Sequence, residues 1–198
     1  MKLLFFVSLL VFANCSTSNL ETVENKDENG RVVERFTRLK KDFAKEGRYQ
    51  AFYPNGTTRE DAFYRHDTLD GERKLFYPNG TCELIERRQL GSFEGKFQNF
   101  YENGTLKSEG EYRNNSMTGK WRFLYKNGQP KEFVMFKDNE ENGPFQEFYM
   151  DGRLKTEGNY KNGDAEDGEL RMYDSLGMLL KIMDCDGGRC RTKWERGQ

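Results

Sequence analysis

Six glycines stand in register along this chain: Gly47, Gly71, Gly95, Gly119, Gly143 and Gly168 follow one another at intervals of 24, 24, 24, 24 and 25 residues. Nine residues after each comes a second glycine: Gly56, Gly80, Gly104, Gly128, Gly152 and Gly177. The hexapeptide FYPNGT at 52–57 returns at 76–81, and FYENGT follows at 100–105. A period between about 20 and 50 residues is the mark of one supersecondary unit stacked on copies of itself. ENGRVVERF, at residues 28–36, reads as a preceding half-unit, so the array is expected over residues 28–185.

Within a unit, two extended runs flank Asn-Gly, the strongest short-range hairpin signal. Asn55, Asn79, Asn103 and Asn127 hold that place in units one to four, Asp151 in the fifth and Leu176 in the sixth. The expectation is a type I′ turn in every unit, with positive φ at both central residues. The fold class expected is therefore all-β: an elongated single-layer antiparallel sheet of stacked 24-residue β-hairpin repeats, about six, plus an N-terminal half-repeat. With strands about 4.8 Å apart, each unit adds about 10 Å, and the array makes a rod roughly 60 Å long.

Aromatic residues fall in columns as regular as the glycines. Two residues after each leading glycine stand Tyr49, Arg73, Phe97, Trp121, Phe145 and Leu170; seventeen after stand Tyr64, Arg88, Tyr112, Phe136, Tyr160 and Cys185. Position five is Phe52, Phe76, Phe100, Leu124, Phe148 and Tyr173, and position six is Tyr53, Tyr77, Tyr101, Tyr125 and Tyr149. Rings stacked unit on unit can supply the core of a sheet that has no opposing layer. Strand alternation sends positions five and six to opposite faces. The tyrosine row Tyr53, Tyr77, Tyr101, Tyr125, Tyr149 is the candidate partner-binding face, because tyrosine joins apolar area to a hydroxyl.

The segments GKWRFLYKNGQPKEFVMFKDN and GPFQEFYMDGRLKTEGNYKNG resemble the repeats of the MORN-repeat variant family of bacteria, and the resemblance covers about four fifths of the chain. It implies no catalytic residues. The antitoxin-like label attached to some members implies an inhibitor of a partner protein, and other MORN-like arrays imply a lipid-binding or self-assembling module.

The ends differ from the array. Residues 1–14 read as a signal peptide: one lysine, an apolar run from Leu3 to Ala13, then small and polar residues, too short to span a bilayer. Phe12-Ala13-Asn14-Cys15 resembles a bacterial lipobox, with Phe12 and Asn14 standing where Leu and Gly or Ala are usual. Lipid on Cys15, ordinary cleavage nearby and an uncleaved anchor are the three alternatives. The polar stretch 15–27 suits a flexible tether, so the chain is expected to be exported and anchored by lipid to a membrane of the cell envelope. Cys185 and Cys190, separated by DGGR, form a candidate disulfide, and residues 186–198 a C-terminal cap or tail.

Composition narrows the function. Lys and Arg number 32 against 33 Asp and Glu, which removes the cation excess that nucleic-acid binding needs. The single histidine, His66, reads as an exposed loop residue, and Glu109 and Glu157 recur at one repeat position as ladder partners for lysine. No metal ligand set, cofactor motif or catalytic constellation is spelled, and the NGT sequons follow from the turn. The reading is a non-enzymatic, membrane-anchored scaffold for a protein or glycan partner, with self-association at the open strand edges as an alternative.

Overall fold

The computed structural model describes residues 18–197; the expected signal peptide and Cys15 lie outside the described residues. The N-terminal pair is β1 (Leu20–Lys26) and β2 (Val32–Leu39), and unit one is β3 (Lys45–Phe52) and β4 (Thr58–Arg65). Unit two holds the short β5 (Thr68–Leu69), then β6 (Gly71–Phe76) and β7 (Cys82–Gln89); unit three is β8 (Ser92–Phe100) and β9 (Leu106–Arg113). Units four and five are β10 (Ser116–Leu124) with β11 (Pro130–Lys137), and β12 (Glu140–Phe148) with β13 (Leu154–Tyr160). Unit six is β14 (Gly168–Tyr173) and β15 (Leu179–Asp186), followed by β16 (Arg189–Glu195). All sixteen form one antiparallel sheet in which each strand pairs with its sequence neighbours, β5 lying off the main path against β4. The fold is the expected stack of hairpins.

The sheet reaches further at both ends than the glycine register suggests. β1 occupies the stretch expected as a tether. Val23 pairs with Phe36 on the core face, while Glu21 and Glu24 bridge to Arg38 and Arg35, each at 2.8 Å. At the other end, the expected cap or tail contains β16, tied to β15 by the Cys185–Cys190 disulfide at directly paired positions. An edge strand needs only one good face, so both segments join the sheet despite their polar composition.

The turns correct the expectation. The Tyr53 N–H donates to Thr57 O and the Gly56 N–H donates to Tyr53 O, both at 2.8 Å, and Gly56 has φ 85° while Asn55 is not among the positive-φ residues. This is a three-residue loop, a type I turn followed by one left-handed residue. Its asparagine serves as an acceptor, its Oδ1 taking the Thr57 N–H at 3.0 Å. The type I′ turns sit on the opposite edge of the sheet, where both central residues have positive φ: Asn114 and Asn115 at 49° and 67°, Asp138 and Asn139 at 54° and 69°, His66 and Asp67 at 46° and 61°.

The leading glycines have a separate purpose. Between β9 and β10, Thr118 pairs with Glu111 and Arg122 with Glu109, so Gly119, Lys120 and Trp121 face Gly110 alone. The same three-against-one excess interrupts β2/β3, β7/β8 and β11/β12. Around Gly71 and Gly168 the excess is again two residues, four standing against two. All six leading glycines have positive φ, from 68° to 131°, in these irregularities. A bulge bends its strand and sharpens the twist, which lets a ring swing across the neighbouring strand.

That ring is the core. Trp121, 2% exposed, lies on Gly110, where an added Cβ would come within 2.2 Å of the indole; Phe145 and Leu170 cover Gly158 in the same way. Position fifteen alternates from unit to unit: Ala62, Gly110 and Gly158 in units one, three and five, but Glu86, Val134 and Met183 in units two, four and six. Two apolar clusters result, one around Tyr49 and one around Trp121 and Phe145. Between them Arg73 contacts Glu60 and the buried Glu86, at 2.6 and 3.3 Å, and Arg88 bonds Glu86 at 2.9 Å, so paired charges replace the rings in unit two.

Gly110→Ala is expected to destabilise the chain by about 1–3 kcal/mol in urea unfolding, because the methyl must displace a packed indole. A change within 0.3 kcal/mol would show that Trp121 does not rest there.

Candidate binding surface

The expected tyrosine row is present, but its hydroxyls are engaged. Tyr53 donates to Phe76 O at 2.8 Å, Tyr77 to Phe100 O at 2.9 Å and Tyr101 to Leu124 O at 2.9 Å. Tyr125 donates to Phe148 O at 2.9 Å and Tyr149 to Tyr173 O at 2.8 Å. Each half-buried tyrosine thus reaches one unit ahead and bonds its backbone. Position six opens the turn and lies past the strand end, so strand alternation does not govern it. A second ladder runs beside it: Asn55 Nδ2 donates to Pro78 O at 2.9 Å, and Asn79, Asn103 and Asn127 repeat the contact at 3.2, 3.3 and 2.9 Å. This edge holds the stack together and offers a partner few free polar groups.

The face opposite the core rings is different. Positions three and fourteen of successive units stand directly across from one another, strand after strand, in one unbroken row from β3 to β16. It begins Gln50, Asp61, Lys74, Ile85. It continues Gln98, Glu109, Arg122, Phe133. Then come Gln146, Glu157, Arg171, Ile182, and Trp194 at the end. The order amide, carboxylate, cation, apolar residue thus occurs three times, with a period of four strands rather than two. A two-unit repeat is legible in the sequence as Gln50, Lys74, Gln98, Arg122, Gln146, Arg171 at position three, once the 24-residue register is laid out and alternate units are compared.

In the second and third sets the polar neighbours in the row are paired, whereas in the first Asp61 bonds Arg48 and Lys74 pairs with Glu72. Gln98 Nε2 donates to Glu109 Oε2 at 3.2 Å and Gln146 Nε2 to Glu157 Oε2 at 3.3 Å, fixing which end of each amide faces its acid. Arg122 bonds Glu109, and Arg171 stands 3.9 Å from Glu157 Oε1, which also takes the Tyr173 hydroxyl at 2.8 Å. The ladder partner of these glutamates is therefore arginine, not the expected lysine, because the facing position in the next unit is Arg122 or Arg171. Where the bulges part the strands, three grooves of about 480, 360 and 480 Å³ open along this face, the first two sharing Lys96 and Gln98, the last two Lys120.

Elsewhere the titratable groups follow their surroundings. Burial raises the pKa of Glu132, with Glu141 and the directly opposed Glu147 adding to it. Glu34 is held below its ordinary value by the hydrogen bonds from Tyr49 and then Asn25. His66, the first central residue of a type I′ turn, is exposed and lies 3.6 Å from Glu46 and 3.7 Å from Asp42. Cys82 is a free, partly buried thiol whose pKa burial raises. Among the described residues no group of three or more His, Cys, Asp or Glu side chains is placed to hold a metal ion, and no helix is long and apolar enough to cross a membrane.

The family model for the MORN repeat variant matches four segments, residues 45–66, 69–81, 93–114 and 141–162. No curated protein matches the sequence. Among solved structures, a chain of the Photorhabdus luminescens Tc holotoxin pore shares 10% identity over 83% of this chain and 12% of its own length, with a TM-score of 0.25, too low to carry an argument.

Tyr101→Phe should lower stability by about 0.5–1.5 kcal/mol through loss of one inter-unit hydrogen bond, read by chemical denaturation. No loss would mean the ladder is not formed in solution. Glu132→Gln tests the opposed carboxylates. A carboxyl whose folded pKa is raised gives stability that is full below its unfolded pKa and lost as pH rises through the folded one. The variant should therefore be more stable than the parent near pH 8 and lack part of the decline above pH 4.5, seen in melts across that range.

Proposed function

We propose that this chain, a repeat protein of the MORN repeat variant family, works as a non-enzymatic binding scaffold held at the bacterial cell envelope by lipid on Cys15. The observation that carries the reading is the outer-face row. It places the same four side-chain types in the same order three times on a rigid sheet, where stability alone requires only solvated residues. Repetition on a solenoid face multiplies weak contacts into one extended interface. The partner is a protein or glycan of the envelope. Anchoring is supported by the short apolar leader and by the residues around Cys15.

Two measurements test this. The intact mass of the chain purified from bacterial membranes should correspond to loss of residues 1–14 plus a diacyl or triacyl group, and Cys15→Ser should lack the addition. An unmodified chain beginning at Met1 in the cytosol would contradict the anchor and favour the inhibitor alternative. For binding, the immobilised chain should retain an envelope protein or glycan in near-stoichiometric amount from native extracts. Retention of nothing over background would contradict the scaffold.

A further inference from the structure

Resting on the scaffold reading, we infer that the outer-face furrow binds a linear, uncharged polysaccharide lying across the strands. The subsites are centred on Ile85, Phe133 and Ile182.

Four properties of the row point to that ligand class. First, the receptor is periodic: one set of amide, carboxylate, cation and apolar residue recurs every four strands, about 19 Å at a strand spacing of about 4.8 Å. A ligand that uses every set must itself repeat by translation, as a linear glycan does and a folded protein surface does not. Second, each period holds one carboxylate and one cation, each already paired: Glu109 with Arg122, Glu157 with Arg171, and in the first set Asp61 with Arg48 and Lys74 with Glu72, so the furrow has no net field to attract an anionic or cationic polymer.

Third, the polar groups, apart from the Lys74 ammonium, are planar amides, carboxylates and guanidinium groups, which can hydrogen-bond adjacent hydroxyls with two atoms at once. Gln98 and Gln146 each spend one amide hydrogen on the neighbouring acid, leaving the second hydrogen and the amide oxygen for a ligand. Fourth, the half-buried Ile85, Phe133 and Ile182 offer the apolar patches on which the C–H face of a sugar ring can lie. The furrow is long enough for a polymer: three grooves joined through Lys96 and Lys120 run from β6 to β14, taking in Ile85 and Phe133, and the row continues beyond them to Ile182 on β15.

The direct test is native affinity electrophoresis of the full chain in gels containing one of four neutral polymers: hydroxyethyl cellulose, mixed-linkage glucan, arabinoxylan or galactomannan. At least one should retard the chain. Gln98→Ala/Gln146→Ala should weaken that retardation at least tenfold, while Tyr125→Phe, altered only in the inter-unit ladder, should leave it unchanged. Should the double variant melt early, Gln146→Ala alone supplies the same comparison with an expected loss of about threefold. Affinity should also rise with oligosaccharide length until the ligand spans one four-strand period, about 19 Å. Retardation that survives the glutamine substitutions overturns the furrow. Retardation by none of the four polymers overturns the glycan assignment, and a protein retained by the immobilised chain would then show that the scaffold reading stands without it.

Discussion

The structure depends on one backbone device, the bulge around each leading glycine. Its strand carries two residues more than the strand it faces, three against one at four of the six junctions, and must turn through a conformation in which a side chain is strained. The bend brings the ring at position two over the facing strand. Trp121 consequently rests on Gly110 and is almost wholly buried although no second layer covers the sheet. A single-layer sheet normally leaves one side chain set in water on each face. Here the rings of one unit are the cover of the next, so core, curvature and repeat are one feature.

The same device accounts for the two-unit rhythm. A ring seated on a strand needs a small residue beneath it, and Ala62, Gly110 and Gly158 supply it at every second junction; at the junctions between, Glu86 and Val134 stand directly opposite Phe97 and Phe145. The opposite face follows with its own alternation, carboxylate and amide in odd units, cation and apolar side chain in even ones. Unit two shows how far the pattern bends. Arg73 and Arg88 stand where rings are expected, and Glu60 and Glu86 neutralise them at contact distance, so the buried charges are satisfied rather than isolated.

Much of this was legible in the sequence, for physical reasons that differ by feature. The array is written in residues that backbone geometry restricts, the glycines, and in rings too large to be placed at random. The turn type was not legible: Asn-Gly fits a type I′ turn and also a type I turn closed by a left-handed glycine, and only hydrogen bonds such as Gly56 N–H to Tyr53 O decide. The inter-unit bonds of the tyrosine row were not legible because the period-two rule ends where the strand ends, one residue before Tyr53. β1 and β16 escaped the reading because edge strands carry no leading glycine and tolerate charge on both faces. The outer-face row was spelled in the sequence throughout, hidden by aligning every unit with its neighbour instead of with the next but one.

If two hairpins are the true building block, the number of residues removed should matter less than the phase of the removal. Deleting residues 95–142 joins like to like, placing Phe145 opposite Glu86 as Phe97 stands now, and Gln146 opposite Ile85. Deleting only residues 95–118 would put Trp121 over Glu86 and Arg122 beside Ile85. Urea unfolding of the two shortened chains should find the 48-residue deletion cooperative and more stable than the 24-residue deletion, although the latter is longer. A 24-residue deletion at least as stable as the 48-residue one would contradict the account.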